Sequence, residues 1–362
     1  MQKQTLLAVM ILFLGGVATS MPSGAQAQTV VAQSNKQEEL KELLSKARTE
    51  VDSGDFNGAI DLYQRAAAIE PNNAMIFSGI GYAQAQQKNF RAAVAAYRRA
   101  IAIDGNNSDL HYALGFASAN LGDNSTARDA YRRAIQLNRN NVNAYLGLGA
   151  VLLRLRDFKD AEWAYDQAIS LDSRNAEAYQ LLAMAYLQQG RAKDAIASLQ
   201  RASRLAPNNS SILLSLGSAL LEQGSTQAGL TTLRQAAQLD RNNPTLQMKI
   251  GSILKARNDD EGAMQAYQRA VSIDPNLVQA RAAIADMLMD KRDYVGAISA
   301  YRRVIELSPN NPNAYYNLGL AFLARNRNTE AIAVFNQARE LYKKQGHPEG
   351  VRRTEAALKD LR

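Results

Sequence analysis

The stretch AAVAAYRRAIAID, Ala92 to Asp104, decides the fold, because versions of it return along the chain at a fixed interval of 34 residues. Its bulky residue recurs as Tyr63, Tyr97, Tyr131, Tyr165, Leu199, Leu233, Tyr267, Tyr301 and Phe335, with no insertion or deletion between any two. Four residues before each stands a small side chain, from Ala59 to Ala331, with Gly229 among them. Three residues after each comes Ala, or Val304 in the eighth copy, and six after comes Ile or Leu, from Ile69 to Leu341. Offsets of three and four place all of these on one face of a helix.

A fixed period in this range marks a solenoid, in which each unit buries its apolar face only by stacking on its neighbours. The first half of each unit adds a second pattern, a large residue followed by Leu-Gly and another large residue, as in Tyr145, Leu148, Gly149, Leu152 and again in Tyr315, Leu318, Gly319, Phe322. Pro71, Pro207, Pro275 and Pro309 stand near unit ends. Together these residues resemble the tetratricopeptide repeat over Leu40 to Gln345. The departures are mild: Ala47, Ala183 and Ala285 replace Gly, and Leu199 and Leu233 replace an aromatic. The resemblance implies an all-α fold, a right-handed solenoid (α-α superhelix) of antiparallel helix pairs.

The expected organisation is a signal peptide over 1–27, a short polar linker over 28–36, nine repeats over 37–345 and a C-terminal capping helix over 346–362. Turns between the two helices of a unit carry Gly54, Lys88, Gly122, Arg156, Gly190, Gly224, Asn258, Arg292 and Asn326. Between units stand Asn72-Asn73, Asn106-Asn107, Asn140-Asn141 and Asn208-Asn209, suited to turns or helix N-caps. Ser34 followed by Gln37 predicts a capping-box start for the first helix. Mid-helix Gly81, Gly115, Gly149, Gly217, Gly251 and Gly319 each cost about 1 kcal/mol against alanine. Close approach of the partner helix, with the anchor rings filling the space, is expected to offset that cost. At the far end Gly346 ends the last repeat and Pro348 opens a helix whose Val351, Leu358 and Leu361 face inward.

At the N-terminus, Lys3, an apolar run from Leu6 to Ala18 and the small-residue tract Ala25-Gln26-Ala27 read as a secretory signal peptide cut before Gln28. The run is shorter than the roughly 20 apolar residues that span a bilayer. The expected location is therefore outside the cytoplasm, periplasmic or extracellular. The absence of cysteine excludes disulfides, thiolate metal sites and a lipid-modified N-terminal Cys. A formal charge of +8 would suit an acidic partner if it were concentrated. It is spread instead along an outer ladder of Arg65, Arg99, Arg133, Arg201, Arg269 and Arg303, without the interleaved aromatics that nucleic-acid stacking needs.

No catalytic motif is present. His111 and His347 stand far apart with no Cys, His or paired carboxylates at ligand spacing, and no nucleophile elbow, P-loop or dinucleotide fingerprint occurs. A non-enzyme without cofactor or metal is expected. The informative residues lie on the free face of each first helix, which in the resembled family lines the concave surface holding a partner. Counting each unit from Leu40, Ala74, Ser108 and onward, positions 5 and 9 hold eighteen residues, of which twelve are apolar or aromatic and two charged. An exposed apolar strip of this kind marks an interaction site, although neighbouring first helices can bury part of it. Candidate partner-binding residues are Tyr82, Tyr112, Phe116, Leu146, Met184, Leu214, Met248 and Tyr316, with Tyr82, Tyr112, Phe116 and Met184 expected to be the exposed anchors. No unit pairs Lys at position 5 with Asn at position 9, the arrangement by which family members clamp an acidic C-terminus. The expected function is an exported adaptor, in a membrane-proximal assembly, that binds a peptide or amphipathic helix in an apolar groove. Self-assembly and carriage of a lipid or glycan strand are the alternatives.

Overall fold

Short polar side chains set where the helices begin. In the computed structural model, which describes the backbone of residues 24–361 and the side chains from residue 33, Asn73, Asn107, Asn141, Asn175, Asn209, Asn243 and Asn311 each accept a backbone N–H two or three residues on. Asp55, Asp123, Asp157, Asp259 and Asp293 do the same for the second helix of their units. Each takes up donors that a helix N-terminus cannot satisfy internally.

The described residues contain nineteen α-helices and no strand. They form two compact units that divide between Ala144 and Tyr145. The first contains α1 (Gly24–Ser53), α2 (Phe56–Ile69), α3 (Ala74–Gln86), α4 (Phe90–Ile103), α5 (Ser108–Leu121) and α6 (Asn124–Leu137). The division falls inside α7 (Val142–Arg154). The second unit continues with α8 (Phe158–Leu171), α9 (Ala176–Gln188), α10 (Ala192–Leu205), α11 (Ser210–Glu222), α12 (Thr226–Leu239) and α13 (Pro244–Ala256). It ends with α14 (Asp260–Ile273), α15 (Val278–Asp290), α16 (Tyr294–Leu307), α17 (Pro312–Leu323), α18 (Asn328–Lys344) and α19 (Pro348–Lys359). From α1 to α6, and from α8 to α19, every helix packs on the next, and α3 touches α5, α9 touches α11 and α15 touches α17. The expected all-α array of helix pairs is what forms.

Two sequence expectations need correction. Ser34 does not start the first helix, and 28–36 is not a linker, because α1 already runs from Gly24 through that segment. Gln, Ala and Lys around Ser34 are good helix formers, and no Gly or Pro interrupts them between Gly24 and Ser53. The terminal helix is shorter than expected, ending at Lys359. Its inward face also includes Thr354, fully buried, whose hydroxyl donates to the Gly350 carbonyl at 2.7 Å. Leu358 is buried, with Leu361 packed alongside. The apolar run from Leu6 to Ala18 lies outside the described residues.

The glycine expectation holds in detail. A Cβ on Gly149 would lie 2.5 Å from the Tyr165 ring, and one on Gly319 2.5 Å from Phe335. Gly81, Gly115, Gly217 and Gly251 meet the anchors of their own units, Tyr97, Tyr131, Leu233 and Tyr267, in the same way. The glycine thus makes room for the ring, and ring burial offsets the helix-propensity cost.

One residue per unit takes a left-handed backbone: Gly54, Lys88, Gly122, Arg156, Gly190, Gly224, Asn258, Arg292 and Asn326, each where a turn was read from sequence. Non-glycine residues pay about 1–2 kcal/mol for this conformation, and glycine returns some of that gain through unfolded-state entropy. Lys88→Gly, Arg156→Gly and Arg292→Gly are each expected to stabilise by about 0.5–1 kcal/mol. Gly122→Ala should cost about 1 kcal/mol, a backbone effect alone since nothing lies within 4 Å of its Cβ position. Urea titration of the four variants checks both signs.

Burial pushes the phenols of Tyr63, Tyr97, Tyr165 and Tyr301 upward, Tyr97 to about 12. A phenol whose folded pKa exceeds its unfolded value near 10 contributes stability below pH 10 and loses it as pH rises toward the folded value. Unfolding free energy is therefore expected to fall between pH 10 and 12, by up to about 1.4 kcal/mol per pH unit for each such tyrosine. Denaturant midpoints measured across that window check the slope, and Tyr97→Phe should reduce it.

Candidate protein-docking surface

The free faces of the first helices present two rows, and packing treats them differently. Position 5 holds Leu44, Ser78, Tyr112, Leu146, Gln180, Leu214, Met248, Ala282 and Tyr316, and every one is half-buried. Position 9 lies one turn further on and includes Tyr82, Phe116 and Met184, which are 47%, 46% and 46% exposed. The question left open by the sequence is thus answered in part by row: every position-5 residue is half-buried, whereas at position 9 Tyr82, Phe116 and Met184 are exposed and Ala150, Ser218 and Leu320 are half-buried.

In the first unit, Tyr82 on α3 and Phe116 on α5 are the exposed pair. Their helices bury other apolar residues, Phe77 and Ala83 on α3, Leu114 and Ala117 on α5. Phe116 is steadied on one side by an edge contact to Phe90, with centroids 6.5 Å apart and planes at 75°. Tyr112, expected to be an exposed anchor, instead leans on the Tyr131 anchor at 5.9 Å. It supports the surface and offers one edge to it.

In the second unit, Met184 on α9 is the exposed member. Leu146 is half-buried, and Leu214 and Met248 pack on the core formed by α11 to α15. Tyr316 lies 5.5 Å from the Phe335 anchor and is covered by the Arg353 guanidinium of α19 at 4.1 Å. The chain's own last helix therefore occupies that face.

Beyond Met184 the row turns polar and links first helix to first helix. Lys249 donates to Ser218 at 2.7 Å, and Asn317 donates to Asp286 at 3.2 Å. Asp286 also accepts the Tyr301 hydroxyl at 2.5 Å. Sequence reasoning named the apolar residues and passed over these; Ser218, Ser252 and Asp286 at position 9 were the available signal. It also missed Trp163, the chain's single tryptophan, 49% exposed on α8 with its ring 5.9 Å from Tyr145.

The histidines have structural explanations. His111 lies 3.0 Å from the Gly105 carbonyl, closing a turn, and His347 precedes α19 with its ring 6.0 Å from Tyr342. On the outer ladder, Arg99 lies over the Phe77 ring at 4.0 Å and Arg133 reaches Asn106. No group of His, Asp and Glu among the described residues is placed to hold a metal. No helix among them is long and apolar enough to cross a membrane.

A helix pair recurs every 34 residues, with small residues facing an aromatic anchor in most of them. A model of the cilia and flagella-associated protein 70 C-terminal domain matches residues 78–276, more than half of the chain. Tetratricopeptide-repeat models match residues 44–108, 285–325 and 313–344. The chain belongs to the tetratricopeptide-repeat family. No curated protein matches it significantly along the sequence. Among solved structures, a tetratricopeptide repeat protein from Parabacteroides merdae is similar at 18% identity, with 70% of this chain and 99% of that one covered and a TM-score of 0.55. MamA is similar at 26% identity over 48% of this chain and 94% of its own, with a TM-score of 0.46. YrrB, described as a tetratricopeptide protein with an unusual peptide-binding site, is similar at 20% over 52% and 98%, with a TM-score of 0.43. The likeness to the Parabacteroides merdae protein, at 18% identity, speaks to the fold alone.

Proposed function

We propose that this tetratricopeptide-repeat protein is an exported, non-catalytic scaffold that docks a partner protein, through a peptide or amphipathic helix, on the exposed position-9 residues of its first helices. The observation that carries this is the exposure of Tyr82, Phe116 and Met184 on helices whose other large apolar residues are mostly covered. Large aromatic and methionine side chains left in solvent at a fixed register favour a protein partner, since these types are enriched at interface cores. The family is typically non-catalytic, and the site holds no nucleophile, base and acid in register.

Each unit offers its own part of the surface. Tyr82 and Phe116, with Tyr112 between and behind them, are the first unit's docking set, and Met184 with the flank of Leu146 is the second's. Leu214, Met248 and Tyr316 serve mainly as support in this reading. Substituting photo-crosslinking residues at positions 82 and 116, and at outer Arg98 as control, tests it in cells. Protein adducts from 82 and 116 but not from 98 are expected. Adducts from 98 alone would reject the surface.

Export rests on Lys3, the Leu6 to Ala18 run and Ala25-Gln26-Ala27, and places the scaffold in a periplasmic or extracellular, membrane-proximal assembly. N-terminal sequencing of the protein recovered from cells is expected to find a start near Gln28. An intact Met1 would overturn export with cleavage.

A further inference from the structure

Between α16 and the start of α18, within the second unit, lies a cleft of about 910 Å³ walled by five arginines: Arg281, Arg302, Arg303, Arg325 and Arg327. Glu306 is the one carboxylate in its lining.

That charge is a departure from the repeat's own pattern. In four repeats the residue after an anchor and the residue preceding the next unit's second helix carry opposite charges, Arg98 with Asp123, Arg132 with Asp157, Asp166 with Arg191 and Arg234 with Asp259, while Gln64 with Asn89 and Gln200 with Ser225 are neutral and Gln268 faces Asp293. Asp123 is held below the usual carboxylate range first by hydrogen bonds from Thr126 and Ser125 and then by the Arg98 charge. Where the pair is reversed, Arg191 pairs with Glu162 at 2.9 Å and Asp194 at 2.7 Å. The last pair breaks the rule, because Arg302 meets Arg327.

Both of these guanidiniums crowd the Phe322 ring, at 5.7 and 4.8 Å from its centroid. Internal acids offset only part of the charge. Glu330 pairs with Arg327, Glu306 pairs with Arg303 at 2.7 Å, and the Arg281 Nε donates to the Pro275 carbonyl at 2.6 Å. Arg302 and Arg325 make no close ion pair among the described residues, although the pKa of Glu330, lowered first by its hydrogen bond with Arg327, is lowered further by the Arg302 charge. Beside them Val295, 61% exposed, is the most exposed large apolar side chain described.

We propose that this cleft binds an acidic segment of a partner protein, with carboxylates seated on Arg302 and Arg325, the charge of the Glu330-paired Arg327 beside them, and a neighbouring apolar side chain against Val295. The planar guanidinium fork matches a carboxylate in two-pronged geometry. A concave cleft suits a protruding segment better than a flat bilayer surface. Nucleic acid is disfavoured because the one ring at hand, Phe322, is buried and already covered by guanidiniums. The site shares no residue with the exposed apolar row, so the two proposals fail independently.

Fluorescence anisotropy of a labelled Asp-Glu-Leu-Glu-Asp peptide against the full chain tests it. Saturable binding that weakens as salt rises is expected. Arg302→Ala, by loss of a charged hydrogen-bond partner, and Arg327→Asp, by reversal of charge beside the seated carboxylate, should each lower affinity about tenfold or more, while Arg98→Ala leaves it unchanged. Arg327→Asp also restores the missing N-cap three residues before Glu330, a capping box. It should therefore raise the thermal midpoint while lowering affinity, which separates lost binding from lost folding. Absence of peptide binding, or binding that ignores both variants, would overturn the proposal. Saturation by sodium phosphate or phosphatidylglycerol vesicles without peptide binding would overturn it equally.

Discussion

Tyr165→Ala is expected to destabilise the chain by about 3–5 kcal/mol, the range for removing a large buried aromatic side chain. Tyr165 is fully buried with its ring against Gly149, and Ala161 and Ala168, also fully buried, share its face of the helix. Approached from the other side, Gly149→Val places methyl groups inside the ring and should cost toward the upper end of about 1–3 kcal/mol for overpacking. Ala47 and Ala285 coexist with Tyr63 and Tyr301 in their own units, so the backbone there has a spacing that Gly149 does not provide. The Tyr165 hydroxyl is buried without a hydrogen-bond partner among the described residues. Tyr165→Phe should consequently be neutral or stabilise by about 1 kcal/mol, the opposite sign from alanine. Urea titration followed by circular dichroism reads all three. If Tyr165→Ala costs under about 1 kcal/mol, far below the large-to-small range, ring-on-glycine packing is not what holds a unit together.

The second large effect concerns binding. Replacing Tyr82 and Phe116 together by serine is expected to weaken the docked partner by about 4 kcal/mol, roughly a thousandfold, if each anchor contributes the roughly 2 kcal/mol typical of interface hot spots. Both side chains are nearly half exposed, so circular dichroism and the urea midpoint should change little. Tyr112→Ser should behave differently. Because Tyr112 leans on Tyr131, its loss should reduce stability as well as affinity. Titration calorimetry with the cross-linked partner, once purified, measures both. An affinity loss under about tenfold in the double variant, less than a single hot spot contributes, would move the docking surface elsewhere.

The repeat made much of the fold legible. Anchors, small partners and left-handed turn residues recur every 34 residues, and a local rule that holds nine times leaves little freedom. Lys88, Arg156 and Arg292, poor candidates for a positive φ by residue type, fall at connections read from sequence as turns, and their left-handed backbone is what the structure adds. The docking rows were less legible. Tyr112 and Phe116 are both aromatic and one turn apart, and residue type alone does not tell that Tyr112 leans on Tyr131 of its own repeat while Phe116 makes only an edge contact with Phe90 of the preceding one. The arginine cleft was hidden for a related reason. Arg302 occupies the same position as Arg98, and only the residue it meets, Arg327 where Arg98 has Asp123, makes it different. The start of α1 was misread because a Ser followed by Gln resembles a capping box even inside a continuous run of good helix formers.

The most direct test of the scaffold account is photo-crosslinking in cells from positions 82, 116 and 184 on the exposed row and from positions 98 and 112 as outer and half-buried controls. The account predicts a shared protein adduct from 82 and 116, adducts from 184, weak labelling at 112 and none at 98. Labelling concentrated at 98, or an exposed row that yields no protein adduct while the chain is folded and abundant, would contradict it.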